Sequence, residues 1–262
     1  MNQLNYLRIM IRVVILGSGN VAFHLTKNLL NNKKVQVIQV YNRTLEKINY
    51  LESITSVTND LNSLKNADIY IISVTDNAIS KISSQLKLKN KLVVHTSGSA
   101  PLSALKSNSN KGVLYFLQTF TKEKNIEFNK VPVCIETEDK KDFEQLESFA
   151  KLIVDNVYPI NTDQRNYLHV AAVFVNNFVN HLIYLGYGIC DQRNVPFELL
   201  HPLIEETFEK ITNLAPIDAQ TGPARRNDLK TIEKQMELLP KNQQEIYKLL
   251  TKSIIKTYGE KL

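Results

Sequence analysis

One loop constrains the fold of this chain more than any other stretch. Residues Gly17-Ser18-Gly19-Asn20-Val21-Ala22 follow the apolar run 12–16 (RVVIL) and open a helical pattern over 21–31. Gly17 permits a tight turn, Gly19 has no Cβ to keep a ligand from the backbone, and Ala22 is small enough for close helix–strand packing. A helix that starts here offers unpaired N–H groups and its positive dipole end. Two glycines at a turn are weak evidence alone. A strand before, a helix after and a second strand at the right distance supply the context of a dinucleotide-binding fold. Gly17, Ser18, Gly19, Asn20, Val21 and Ala22 are therefore the expected cradle for a pyrophosphate.

The tip of the second strand, 35–41 (VQVIQVY), selects the cofactor. An NAD site usually places Asp or Glu there to bind the ribose 2′-hydroxyl. This chain reads Asn42-Arg43-Thr44 instead. A guanidinium attracts and forks onto a 2′-phosphate that a carboxylate would repel, and Asn42 and Thr44 add neutral donors. The expectation is NADP, taken up as NADPH rather than NADH. The bland alternative makes Arg43 a solvated side chain and Thr44 a helix cap.

Up to residue 160, β-branched runs at 12–16, 35–41, 69–74, 91–95, 112–116 and 131–136 alternate with helical patterns at 21–31, 45–51, 79–86 and 143–154. That alternation predicts an α/β, doubly wound parallel sheet. Beyond 160 strand-like runs vanish. Helices are expected over 163–190 (interrupted near Gly186 and Gly188), 196–214, 228–238 and 242–258. The chain thus reads as a Rossmann domain at 1–160 and an all-helical domain at 161–262. The first long helix is apolar nearly all round between Val170 and Val179, which calls for burial on every side. A homodimer, with the partner chain shielding this helix, is the expected solution.

Charge and composition exclude several classes. With 32 basic and 26 acidic residues among 262, the net charge is +6 and spread out. This fits an anionic ligand and gives no nucleic-acid footprint. Two distant cysteines form no disulfide framework, and no metal site is expected; reduced thiols fit a cytoplasmic protein. No apolar run approaches the roughly 20 residues of a membrane span. Arg8 and Arg12 interrupt the N-terminus, which does not read as a signal peptide. Residues 1–9 read as a ragged extension, or Met10 as the natural start.

Further candidates lie at strand ends, where open α/β sheets bind ligands. Val74, Thr75 and Asp76 follow one strand as cofactor contacts, with a helix cap as the alternative for Asp76. His95-Thr96-Ser97-Gly98-Ser99 follows another, with Ser97 as a substrate contact. His169, Val173, Asn176 and Asn180 share one face of a regular helix. Polar groups on so apolar a helix need partners, and His169 and Asn176 are candidates for the site. Arg225, beside Gly222-Pro223, could anchor an anionic substrate, while Asp228 could simply cap the next helix.

These residues carry a resemblance. The loop with Asn42-Arg43-Thr44 and the helical tail are similar to pyrroline-5-carboxylate reductase and deazaflavin-dependent NADP reductase. The chain more closely resembles an uncharacterised Rossmann-like family, the domain of unknown function 2520. The resemblance rests on His95-Thr96-Ser97-Gly98-Ser99, on His169-Val170-Ala171-Ala172-Val173-Phe174 with Asn176 and Asn177, and on Thr221-Gly222-Pro223-Ala224-Arg225-Arg226-Asn227-Asp228. It spans nearly the whole chain and implies an NADP-dependent oxidoreductase, with no settled substrate. The lysine that related β-hydroxyacid dehydrogenases place four residues before an asparagine is missing, since those positions hold Ala172 and Val173. The expected reaction is hydride transfer between NADPH and a small C=O or C=N substrate in a cleft between the domains. His95 or His169 is the expected proton donor. The alternative is a non-catalytic NADP-binding sensor or scaffold.

Overall fold

A computed structural model describes residues 10–258. The chain divides into two compact units, the first ending at Val173 and the second beginning at Phe174. The first unit holds one eight-stranded sheet. Its strands are β1 (Ile11–Leu16), β2 (Val35–Tyr41), β3 (Ser56–Thr58), β4 (Ile69–Ile72), β5 (Leu92–His95), β6 (Asn110–Phe116), β7 (Val133–Thr137) and β8 (Val157–Pro159). They lie in the order β3-β2-β1-β4-β5-β6-β7-β8. The sequence reverses direction across β1 and β4, the switch point where such sheets bind ligands.

Alternation along β1 explains how the sheet is covered. Val13 and Ile15 face one way, into a core with Leu25 and Leu29 of α1 (Asn20–Leu30) and Leu146 and Phe149 of α3 (Lys140–Ala150). Val14 and Leu16 face the other, packing with Tyr70 and Ile72 of β4 and with Ile79 of α2 (Asp76–Gln85). All four β1 residues are fully buried. A strand buried on both faces must be apolar at every position, which is why RVVIL does not alternate with polar residues.

The sheet departs from the expected all-parallel form at one place. β6 and β7 pair antiparallel, with Leu114 opposite Ile135. The 16 residues between these strands contain no crossover α-helix, so the chain returns in the opposite direction. The short strands β3 and β8 escape a periodicity search because three residues show no pattern. Residues 45–51, expected as a helix, form two 3₁₀ turns, Leu45–Lys47 and Asn49–Leu51.

The long helix starts at α4 (Thr162–Ala172), set by a capping box between Asn161 and Gln164. It passes through a π-helical segment, Val173–Phe178, into α5 (Val179–Asp191). The expected break at Gly186 and Gly188 is absent, since both lie within α5. The π segment also removes the regular spacing on which a shared face of His169, Val173, Asn176 and Asn180 was read. Thr162–Asp191 is long and apolar enough, by length and composition, to cross a membrane, a property hidden in the sequence by its scattered polar residues. Asn176, Asn177, Asn180 and His181 fall in its middle, where a bilayer would leave them costly. Val170, Phe174, Val175 and Phe178 are exposed in the single chain rather than buried on all sides.

The remaining helices are α6 (His201–Asn213), α7 (Pro216–Ala219), α8 (Leu229–Glu237) and α9 (Lys241–Tyr258). The stretch expected as one helix from 196 begins instead with a 3₁₀ turn, Phe197–Leu200, and Pro202 sits in the first turn of α6. Asp228 caps α8, its carboxylate accepting the Thr231 N–H at 3.2 Å. Residues 1–9, expected as a ragged extension, lie outside the described residues.

Candidate functional site

The glycine loop turns where β1 ends. The Gly17 N–H donates to the Tyr41 carbonyl at 2.8 Å, and the Ser73 N–H to the Leu16 carbonyl at 2.8 Å, so the ends of β1, β2 and β4 converge here. Gly17 has φ +135°, a conformation other residues rarely adopt. A Cβ there would lie 1.9 Å from the Ser73 carbonyl oxygen. Gly19 differs: a Cβ on it would meet nothing within 4 Å. Gly17 is thus required by the protein's own packing, whereas Gly19 leaves open space beside the first turn of α1. That space is what a pyrophosphate needs to approach the helix N-terminus. Ala22 is buried in the core beneath.

A cavity of about 700 Å³ opens from this loop. Ser18, Gly19, Asn20 and Val21 line it at the loop, Asn42 and Arg43 at the tip of β2, Val74, Thr75 and Asp76 after β4, and Thr96 and Ser97 after β5. Most of the residues singled out from sequence are thereby brought to one cavity within the first unit. Arg43 is exposed, and among the described residues no carboxylate pairs with it. Thr44 does not line the cavity; its carbonyl accepts the Asn42 side-chain N–H at 2.6 Å, which fixes the turn carrying Arg43. Thr44 precedes a 3₁₀ turn without a side-chain cap bond.

The loop after β5 is organised by its own hydrogen bonds. The Ser97 hydroxyl accepts the N–H groups of Ser99 at 3.1 Å and Ala100 at 2.9 Å. Thr96 donates to the Ser73 hydroxyl at 3.1 Å, and the Ser99 hydroxyl donates to the Asp76 carboxylate. Asp76 is the first residue of α2 rather than its cap, which is Thr75. His95 is fully buried, its Nδ1 accepting the Ser97 N–H at 3.2 Å, and among the described residues its Nε2 has no partner. Burial, reinforced by the positive charge of Arg165, pushes its pKa down to about 4. His95 is therefore neutral at neutral pH and supports the loop from behind.

Tyr115 and His169 meet beside this loop. The Tyr115 hydroxyl lies 3.2 Å from His169 Nδ1. A Cβ on Gly98 would sit 2.7 Å from that Nδ1 and 2.7 Å from Tyr115 Cζ, so only glycine lets the pair close over the loop.

Residues 131–254 match the family described as domain of unknown function 2520, and residues 12–98 match NADP oxidoreductase, coenzyme F420-dependent. A protein of Bacteroides fragilis assigned as an NADP oxidoreductase is 35% identical, over 94% of this chain and 98% of its own, with a TM-score of 0.86. The chain belongs to this Rossmann-type oxidoreductase family. Two other solved structures share the fold. A Thermotoga maritima protein is 19% identical over 95% of this chain and 98% of its own, with a TM-score of 0.73. A reductive aminase of Aspergillus terreus, in complex with NADPH and ethyl-5-oxohexanoate, is 15% identical over 96% and 95%, with a TM-score of 0.72. No curated protein matches the chain.

In this NADP oxidoreductase family member, two further sequence candidates belong to the second unit. Arg225 is in the second unit, donating to the carbonyls of Gln220 and Asp218 and stacking 5.5 Å over the Tyr258 ring. Those contacts hold its own loop. Asn176 is exposed in the π-helical segment. Sequence reasoning also missed much. Ala78, Lys81, Ile82 and Gln85, one face of α2, line the cavity. Their i, i+3, i+4, i+7 spacing marks a single stripe, but nothing in sequence says which ligand the stripe would meet. Asn20 donates to the Phe120 carbonyl at 2.7 Å, and the His24 ring lies 2.9 Å from the Thr121 carbonyl. The segment after β6 is thus tied to the glycine loop across about 100 residues of sequence.

Proposed function

We propose that the chain is an NADPH-dependent reductase that passes a hydride to a small C=O or C=N substrate, with His169 as proton donor. The observation that carries this reading is the single cavity running from the glycine loop and Arg43 to Ser97, with the Tyr115–His169 pair closed over the adjoining Gly98. The residues fit the cofactor. Gly19 leaves room for the pyrophosphate, α1 offers N–H donors, and Arg43 supplies a charge for the 2′-phosphate. NADPH would supply the hydride when bound. The chain's own part is to bind and orient it, and to deliver a proton to the substrate oxygen or nitrogen. His169 is half-buried and reachable, whereas His95 is sealed and neutral. One solved structure that shares the fold is a reductive aminase in complex with NADPH, which makes C=N substrates the first to try.

A second copy of the chain covering Val170, Phe174, Val175 and Phe178 belongs to the same reading, as does a cytoplasmic location. Sedimentation would report the dimer. The reaction is tested by following NADPH absorbance with a panel of ketones, ketoacids and imines. Oxidation that depends on substrate and falls at least tenfold in His169→Gln is expected. Tight NADPH binding with no turnover across the panel would instead favour a sensor or scaffold.

A further inference from the structure

We propose that Tyr115 is a positioning residue that locks the neutral His169 imidazole in the tautomer with its proton on Nε2, making Nε2–H the proton-donating group of the site: as Nε2 releases its proton to the substrate, Nδ1 takes the Tyr115 hydroxyl proton, the ring stays neutral and the phenol is reprotonated from solvent. This rests on His169 as proton donor, and it names both the atom and the residue that sets it.

Tyr115 sits one residue from the end of β6 and is 8% exposed. A phenol has one proton to donate. Among the described residues its hydroxyl has one hydrogen-bond partner, His169 Nδ1 at 3.2 Å. If the hydroxyl only accepted from an Nδ1–H, its own proton would be orphaned in a nearly dry place, at a cost of about 1–3 kcal/mol. Donation to Nδ1 satisfies it. An Nδ1 that accepts carries no proton, so the proton of the neutral ring is on Nε2. Burial also raises the Tyr115 pKa, so the phenol keeps the proton it must donate.

The geometry is enforced from below. The two rings meet edge-on, with centroids 6.0 Å apart at 71°. Gly98 underlies both, and any side chain there would strike Nδ1 and Cζ together. Gly98 follows Ser97, which lines the cavity. The loop that reaches the cofactor cavity is therefore also the seat of the pair. Hydrogen-bonded support of this kind fixes which ring nitrogen a histidine presents.

The test is two-bond ¹⁵N–¹H correlation on the full chain with ring-labelled histidines at about pH 8.5, where neutral imidazoles report their tautomers. His169→Gln identifies the His169 signals. The expected wild-type pattern has the proton on Nε2 and a hydrogen-bonded Nδ1. Tyr115→Phe keeps the ring and loses the hydroxyl. It should shift the His169 Nδ1 resonance toward that of an unbonded nitrogen and leave the other four histidines in place. Gly98→Ala should produce the same shift by parting the pair. A wild-type proton on Nδ1, or an Nδ1 resonance unmoved in Tyr115→Phe, would overturn the proposal. The wild-type spectrum alone decides the tautomer if a variant fails to fold. The measurement uses neither NADPH nor substrate, so it fails or succeeds separately from the proposed reaction.

Discussion

The wholly buried guanidinium of Arg165 donates to the Ala100 carbonyl at 2.6 Å, joining the first turn of the long helix to the loop that carries Ser97 and Gly98. The same guanidinium pairs with Glu136 of β7, whose carboxylate also accepts from the Thr162 hydroxyl and N–H, each at 2.9 Å. Removing one partner strands a buried charge. Arg165→Ala or Glu136→Ala should lower unfolding free energy by about 3–5 kcal/mol. The double change Arg165→Met with Glu136→Leu should cost less than either, because it leaves no unpaired ion. Denaturant midpoints of the four proteins check this; a double variant less stable than both singles would refute it.

The two loop glycines should separate stability from binding. Gly17→Ala places a Cβ 1.9 Å from the Ser73 carbonyl and should destabilise the fold outright. Gly19→Ala meets no protein atom within 4 Å. Its stability should stay within about 0.5 kcal/mol of wild type, while NADPH affinity falls at least tenfold, or about 1.4 kcal/mol. Thermal melts with and without NADPH give both quantities.

His95 makes a pH-dependent contribution of known sign. Its pKa is about 4 in the folded chain and about 6.5 when unfolded. Between those values the unfolded chain binds the extra proton, so stability falls as pH drops from about 6.5 toward 4. The full shift is worth on the order of 3 kcal/mol. Unfolding at pH 7 and at pH 4.5 should show a smaller loss in His95→Gln than in wild type. Equal losses would mean His95 is not buried in its neutral form.

How much of this was legible in the sequence follows from distance along the chain. Gly17, Gly19 and Arg43 were readable because a turn and the residue after a strand are local features. The switch-point sheet followed from alternating strands and helices. The antiparallel β6–β7 pair did not, because strand direction depends on the path of a patternless connection. Arg165 and Glu136 lie 29 residues apart, and neither looks unusual alone. His95 looked like a donor because sequence shows the residue type and not its burial. His169 stood out, but its partner Tyr115 lies 54 residues away on a different element. The π segment was invisible because apolar periodicity assumes an unbroken α-helix.

Arg43 should carry cofactor choice. A charge-assisted contact to the 2′-phosphate is worth about 1.5–3 kcal/mol. Arg43→Ala should therefore weaken NADPH binding by about 10- to 100-fold and leave NADH binding unchanged. Fluorescence titration with both nucleotides measures the pair of constants; equal weakening of both would place Arg43 outside the 2′-phosphate site.

The most direct measurement is calorimetric titration of the wild-type chain with NADPH and with NADH under one set of conditions. With Asn42-Arg43-Thr44 in place of an acidic residue at the tip of β2, NADPH should bind at one site per chain, at least tenfold tighter than NADH. No binding of either nucleotide, or equal affinity for the two, would contradict the assignment of this cavity as an NADPH site.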